Sequence, residues 1–396
     1  MDDPAQLDLD SSMDSASPAA QPKQAAKRAR TYDAPSSPPL AAATPPADDA
    51  SAWPPRSPSA KLAVMAPMVR VGTLPFRRVA LRYGADAVFS EELIDHKVLR
   101  CVRSVDERRG TVDFRDAGGS LVFSTTPGES VVLQLGTSDA ARALRAATVV
   151  AADVRGIDIN MGCPLKFSVA GGMGSALLRK PELVKDIVST LRRNLSVPVS
   201  CKIRLLESEA DSVQLAKVIE AVGACALSVH ARYVPDKSHL QVARWAGIRP
   251  IVDALSIPVL ANGDVMAAGD FERIREATGC AGVMVARGAM WNPSIFRCKH
   301  GAGAQPLPVW DAARAYLDEA SNERFEHRFP NTKYCMGEML KNQSGVGKTA
   351  AWQQKFTRGK SWQSLSEGLD ELGESVPHLR GAYKPPARGL ATGRGA

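Results

Sequence analysis

The chain has no Cys-x-x-Cys pair, no apolar run near the roughly 20 residues of a membrane span, and no complete glycine motif for phosphates or dinucleotides. Each absence removes a class of protein. Seven cysteines (Cys101, Cys163, Cys201, Cys225, Cys280, Cys298 and Cys335) stand in 396 residues. An odd number without zinc-like spacing argues against a disulfide scaffold and a metal site, and for reduced intracellular thiols. The acidic start MDDPAQLDLD fits neither a secretory signal nor an Arg-rich transit peptide. GVGKT at Gly345–Thr349 ends like a P-loop, but Asn342 stands where the first glycine belongs and no strand precedes it. GGMGSA from Gly171 falls short of the dinucleotide fingerprint, because Leu177 holds the third glycine position.

What is present is a large apolar fraction, 44%, and a net charge of +8. The charge is uneven. Residues 1–60 carry five Lys/Arg and eight Asp/Glu, a net −3, so the remaining 336 residues carry +11. The foldable part is the basic part, as an anionic partner such as nucleic acid would require. Residues 1–59 are rich in Pro, Ala, Ser and Asp without apolar periodicity and read as a disordered leader. Within it KRAR, Lys27–Arg30, is a weak nuclear signal or a solvated charge cluster.

From Lys61 short apolar runs alternate with helical patterns. The runs begin at Lys61, Asp86, Val131, Gly156, Val197, Ala226, Ile257 and Gly282. Each is rich in Val, Ile or Leu, as strands buried on both faces should be. Most gaps are amphipathic, such as PELVKDIVSTLRRNL from Pro181; one, TVDFRDAGGSLVF, reads as a hairpin turning at Gly118–Gly119. Eight such units over about 230 residues predict a TIM (β/α)8 barrel over 60–300. A doubly wound sheet is the competing α/β arrangement. Residues 306–360 read as a small basic helical domain and 361–396 as a weakly ordered tail.

Polar residues gather where the strands end: Glu91, Gln134, Asn160, Cys163, Lys202, Arg204, His230, Arg232, Asn262, Asp264 and Arg287, with Met68 in the first unit. In a barrel this is the catalytic face. Cys163, between Gly162 and Pro164 in IDINMGCPLKFSVAGGMGSALL, is by residue type a core filler, a metal ligand, half of a disulfide or a reacting group. Farther on, Lys341, Lys348, Lys355, Arg358 and Lys360 interleave with Trp352 and Phe356. That mixture suits phosphates and bases, or a solvated helix face.

Taken in order, VMAPMVRVGTLPFR, LQLG (Leu133), NMGCP (Asn160), CKIR (Cys201), VHAR (Val229), ANGD (Ala261) and VARGAMWNPSIF (Val285) resemble the tRNA-dihydrouridine synthase family over Lys61–Phe296. NMGCP with FSxxGGMGxALL, and MWNPSIF followed by NTKY, resemble its eukaryotic cytosolic branch, which acts on position 20 of the tRNA D-loop. The resemblance implies a flavoenzyme. Reduced FMN passes hydride to C6 of a uridine, Cys163 supplies a proton to C5, and NADPH reloads the flavin. It places Pro67, Met68 and Val69 under the ring, Gln134 at its edge and Lys202 near its N1/C2 carbonyl. It gives His230, Asn262, Gly263, Asp264, Ala286 and Arg287 the ribityl chain and phosphate. Asn160, Lys166, Arg204 and Arg232 fall on the substrate side, and the C-terminal cations would hold the tRNA. A flipped uridine, a monomer without metal or membrane partner, and a cytoplasmic location with the nucleus as a second compartment complete the expectation.

Three features depart from that pattern. Leu165 stands where the branch has lysine after Cys-Pro, with Lys166 one place later, and Ala231 replaces a usual glycine. The double-stranded-RNA-binding module of animal members is not recognisable, so affinity is expected to rest on the barrel, the helices and the tail. The alternatives are a flavin-dependent barrel acting on a free pyrimidine or small enone, a catalytically dead tRNA-binding barrel, and a protein-interaction role for the termini. The intact cysteine, lysine and histidine disfavour the dead barrel, which a colourless protein would support.

Overall fold

The computed structural model describes residues 53–54, 61–236, 241–301 and 303–385. The strands are β1 (Leu62–Met65), β2 (Ala87–Ile94), β3 (Val102–Asp106), β4 (Thr111–Arg115), β5 (Leu121–Thr125), β6 (Val131–Gly136), β7 (Gly156–Met161), β8 (Val199–Arg204), β9 (Leu227–His230), β10 (Val259–Asn262) and β11 (Gly282–Val285). Eight of them close a parallel barrel in the order β1-β11-β10-β9-β8-β7-β6-β2. They are the eight apolar runs of the sequence, and closure by β1 on β11 excludes the open doubly wound sheet. The inserted β3-β4-β5 forms a separate antiparallel sheet. Its hairpin is the expected one; β3 was not anticipated, because its residues are mostly exposed and carry no apolar alternation.

Between strands lie α1 (Leu74–Arg82), α2 (Asp95–Val98), α3 (Ala140–Val150), α4 (Lys166–Ala170), α5 (Pro181–Asn194), α6 (Glu209–Ala221), α7 (Arg249–Ala254), α8 (Asp270–Thr278) and α9 (Arg287–Trp291). Proline opens α5, and the side chains of Asp139 and Ser208 cap α3 and α6 by accepting from Arg142 N and Asp211 N. Alternation along each strand sorts side chains to two destinations. Residues such as Met65, Leu133, Ile157, Ile159, Ile203 and Val283 face outward under the helices, in the main core. Val64, Ala66, Ala87, Phe89, Val132, Leu260 and Met284 form a second cluster inside the barrel.

Trp53 joins that inner cluster at 3% exposure. Its ring meets Phe89 edge-on at 5.4 Å, and a Cβ on Gly156 would lie 2.9 Å from its Cδ1. The reading of 1–59 as disordered is therefore corrected at Trp53–Pro54. An indole buries too much apolar area to remain in water when the barrel floor offers it a place. The rest of that stretch, including KRAR, lies outside the described residues.

The chain then adds α10 (Val309–Ala320), α11 (Phe329–Leu340) and α12 (Trp362–Ser375). Phe76 packs on Tyr316 at 5.2 Å, and Glu319 pairs with Arg78 and Arg82, fixing α10 to α1. The tail assigned to 361–396 is corrected over α12. Leu365, Leu369 and Leu372 recur at helical spacing and are fully buried, and Trp310 Nε1 donates to Leu369 O at 2.8 Å. Residues 386–396 lie outside the described residues.

Candidate active site at the barrel mouth

Above the apolar inner cluster the barrel interior turns polar. Gln134 Nε2 donates to Asp158 Oδ2 at 2.8 Å, and Ser200 Oγ donates to Asp158 Oδ1 at 2.7 Å. Burial pushes the Asp158 carboxyl up to about 6 against these two bonds and the pull of Lys202. Lys202, on the neighbouring β8, is pushed down to about 8, chiefly by burial and then by Arg204. No described residue accepts a hydrogen bond from its ammonium. His230 is driven well below the usual histidine range by burial and by four neighbouring cations, Lys202, Arg204, Arg232 and Arg287. A neutral His230 leaves Nε2 to accept from Arg232 Nη1, 3.3 Å away.

At the ends of β10 and β11 sits a carboxylate clamp. Asp264, at φ +52, takes Arg232 Nη2 on both oxygens at 2.7 Å, Arg287 Nη2 on Oδ1 and the Ala243 amide on Oδ2. Arg232 is 1% exposed and its Nε donates to Gln241 O at 2.8 Å. Its assignment to substrate is therefore corrected: it is sealed beneath the surface, and it shapes the site through Asp264 and His230. Arg287 is left part-exposed at the rim. Asn262 Nδ2 donates to Met284 O, Gly263 O accepts from Trp245 Nε1, and Ala286 precedes α9. Pro67, Met68 and Val69 leave β1 on the same rim, Val69 exposed, with Met68 O accepting from the Val71 and Gly72 amides.

Cys163 sits on the loop after β7. Asn160 Oδ1 accepts from the Gly162 and Cys163 amides at 2.9 and 3.0 Å. Arg204 Nε donates to Gly162 O at 2.7 Å and its Nη1 to Tyr233 O at 3.1 Å. Arg204 thus holds the cysteine loop, a tie that its assignment to substrate did not foresee. Gly174, at φ +57, lets the chain fold back on the cysteine; a Cβ there would lie 2.6 Å from Cys163 O. The thiol is pushed up to about 11, first by burial and next by Glu92, so it keeps its proton at neutral pH. The other cysteines described are also free; Cys201, Cys298 and Cys335 are buried filler.

Lys166 opens α4, exposed beside the cysteine. The C-terminal cations divide. Lys341 pairs with Glu338, and Lys355 with Glu367 at 2.6 Å on α12. Lys348, Arg358 and Lys360 are exposed and make no ion pair among the described residues. Phe356 is buried at 3% with Trp352 stacked on it at 5.4 Å, so this pair builds the domain core, and its reading as a base platform is corrected for Phe356. The helices reach the mouth through Arg70, whose guanidinium lies over Tyr334 at 5.4 Å. A cleft there is lined by Arg70, Glu91, Lys97, His327 and Arg328.

Asp158 and Glu92 escaped the sequence reading. The signal for Asp158 was available, a carboxylate in the middle of the apolar run GIDIN. Glu92 sits in SEEL, where spacing alone cannot say which acid faces inward.

The donor set suits FMN. Among the described residues the Lys202 ammonium has no hydrogen-bond acceptor and the buried Ser228 hydroxyl no partner, and Arg287 adds a part-exposed cation at the rim. An anionic ring and a phosphate would meet cations and amides there.

The dihydrouridine synthase (Dus) family model matches residues 64–380. The chain is 36% identical over 293 residues to a Schizosaccharomyces pombe protein named tRNA-dihydrouridine(20) synthase [NAD(P)+], covering 70% of this chain and 59% of that one. It is 34% identical over 331 residues to a Saccharomyces cerevisiae protein of the same name, covering 78% and 84%. A human tRNA-dihydrouridine(20a/20b) synthase [NAD(P)+]-like protein is 33% identical over 255 residues, covering 63% and 74%.

Proposed function

The chain belongs to the dihydrouridine synthase family, and from that membership we propose that it reduces a D-loop uridine of tRNA, at position 20, to 5,6-dihydrouridine. The observation that carries this reading is Cys163, a protonated thiol on the rim of a mouth whose inner wall is cationic. Bound FMN, reloaded by NADPH, supplies the hydride. Lys202 and Arg287 would hold its negative charge and Gln134 and Met68 would meet its ring, with Asp264 setting Arg287 in place. The Cys163 S–H gives its proton to C5, and water restores it. Exposed Leu165, Phe167 and Val169 flank the cysteine and give an extruded base apolar surface. Lys348, Arg358 and Lys360 meet tRNA phosphates. A cytoplasmic location, with the nucleus as a second compartment, is part of this proposal.

The test is a map of dihydrouridine in unmodified tRNA after incubation with the protein, FMN and NADPH. Dihydrouridine at position 20 is expected. A different D-loop position would keep the chemistry and overturn the position; none from visibly yellow protein would move the substrate elsewhere, and none from colourless protein would leave a dead barrel.

A further inference from the structure

The fold spends an irregularity on Glu92. Along β2 and β6, Phe89 pairs with Val132 and Glu92 with Gln134, so three steps on one strand oppose two on the other. This β-bulge changes which acid faces inward. Without it Glu91 would stand beside Gln134. With it Glu91 faces the Arg70 side of the mouth, accepting from the Arg70 amide, and Glu92 turns toward Cys163. The bulge is stabilised locally, since the Gln134 amide donates to Ser90 Oγ at 2.9 Å in place of a ladder bond. The space for the carboxyl is also built. A Cβ on Gly136 would lie 2.7 Å from Glu92 Oε1 and 2.9 Å from Ile94 Cδ1, so the glycine of LQLG gives the carboxyl its room.

Glu92 lies against the Cys163 thiol and the Asn160 side chain. Asn160 has already committed its Oδ1 to the cysteine loop, which leaves its amide for the carboxyl. Glu92 Oε1 is buried with no donor among the described residues, and the Ser168 hydroxyl lies beside the thiol. The other charges near the thiol are Lys202 and Arg204 from β8. These cations favour a thiolate, and a thiolate is the nucleophilic and oxidisable form of cysteine. A proton donor must resist them.

We propose that Glu92 is a positioning residue that aims the Cys163 S–H and holds Cys163 in the thiol form, making it an acid and not a nucleophile. The proposal rests on Cys163 being the proton donor. Burial and a negative neighbour act in the same direction on the thiol, and Glu92 is the largest charged contributor.

The test follows iodoacetamide alkylation of the Cys163 peptide against pH by mass spectrometry, in the full chain and its Glu92→Gln and Glu92→Asp variants. No tRNA is needed, so failure of the proposed substrate is a separate result. In Glu92→Gln the alkylation midpoint should move to lower pH, with Cys163 reacting about five-fold faster or more at pH 8, a shift of about 0.7 pH unit. Glu92→Asp, which keeps the charge, should return most of the way to the parent profile. The Cys101 and Cys280 peptides should not change. An unmoved or upward-shifted Glu92→Gln midpoint overturns the proposal. If Glu92→Gln does not fold, Glu92→Asp decides: a midpoint within about 0.3 unit of the parent supports the charge, and a larger fall overturns it.

Discussion

The mouth has two walls of opposite sign. One, from β2 and β7, carries Glu92 and Asp158 beside Cys163. The other, from β8 to β11, carries Lys202, His230, Arg232 and Arg287, with Asp264 as its internal counter-charge. Burial acts on both but in opposite directions. It raises the acids and the thiol and lowers the lysine and histidine, so each wall is held closer to neutral than its residues would be in water. The difference teaches a division of labour. The acidic wall keeps protons available, and the basic wall waits for an anion.

The largest effect should come from Cys163→Ala. Dihydrouridine formation should fall about 10²–10⁴-fold, while flavin retention, read from the absorbance of the purified protein, stays at the parent level. If flavin is lost as well, the two walls are not separable.

Next, Lys202→Met should reverse that split. Flavin affinity, measured by fluorescence titration, should drop about ten-fold or more, while the cofactor-free protein becomes more stable because an ammonium held near 8 by burial is gone.

The walls should also have opposite pH signatures in chemical denaturation of the cofactor-free protein. Folded Lys202 sits near 8, below its ordinary 10.5, so between those values the unfolded chain binds the extra proton. Stability should therefore rise with pH across about 8–10.5. Folded Asp158 sits near 6, above its ordinary 3.8. Its contribution is full below about 3.8 and should be lost as pH rises through about 6. Each limb should be about 3 kcal/mol; Lys202→Met and Asp158→Asn should each flatten their own limb and, because the two groups attract, widen the other's.

The smallest effect lies outside both walls. Removing Lys348, Arg358 and Lys360 together should reduce the slope of log affinity for tRNA against log salt by about 2, with flavin binding unchanged.

The sequence made the barrel legible because a doubly buried strand has few ways to be written, and eight of them in even rhythm leave little choice. Cys163, Lys202 and His230 were legible because polar residues at the ends of apolar runs need a reason. Glu92 was not, because a bulge shifts the inward face by one residue and no periodicity records it. Arg232 was misread for a related cause: a strand end says that a guanidinium is near the mouth, not that its partner Asp264 lies below the surface. The helix α12 was missed because its acidic face, which neutralises Lys355, hid a regular leucine stripe.

The indole beneath the barrel has a practical consequence for anyone trimming this protein. A shortened version starting at Lys61 would look reasonable by its strands and would retain every residue of the mouth. It would also leave an open drain under Phe89 and Gly156, about 2–3 kcal/mol poorer in apolar burial. Water entering there would stand one layer below Asp158 and Lys202, whose unusual acidities depend on dryness. The useful cut therefore falls ahead of residue 53, and Trp53 emission would report whether the floor is sealed.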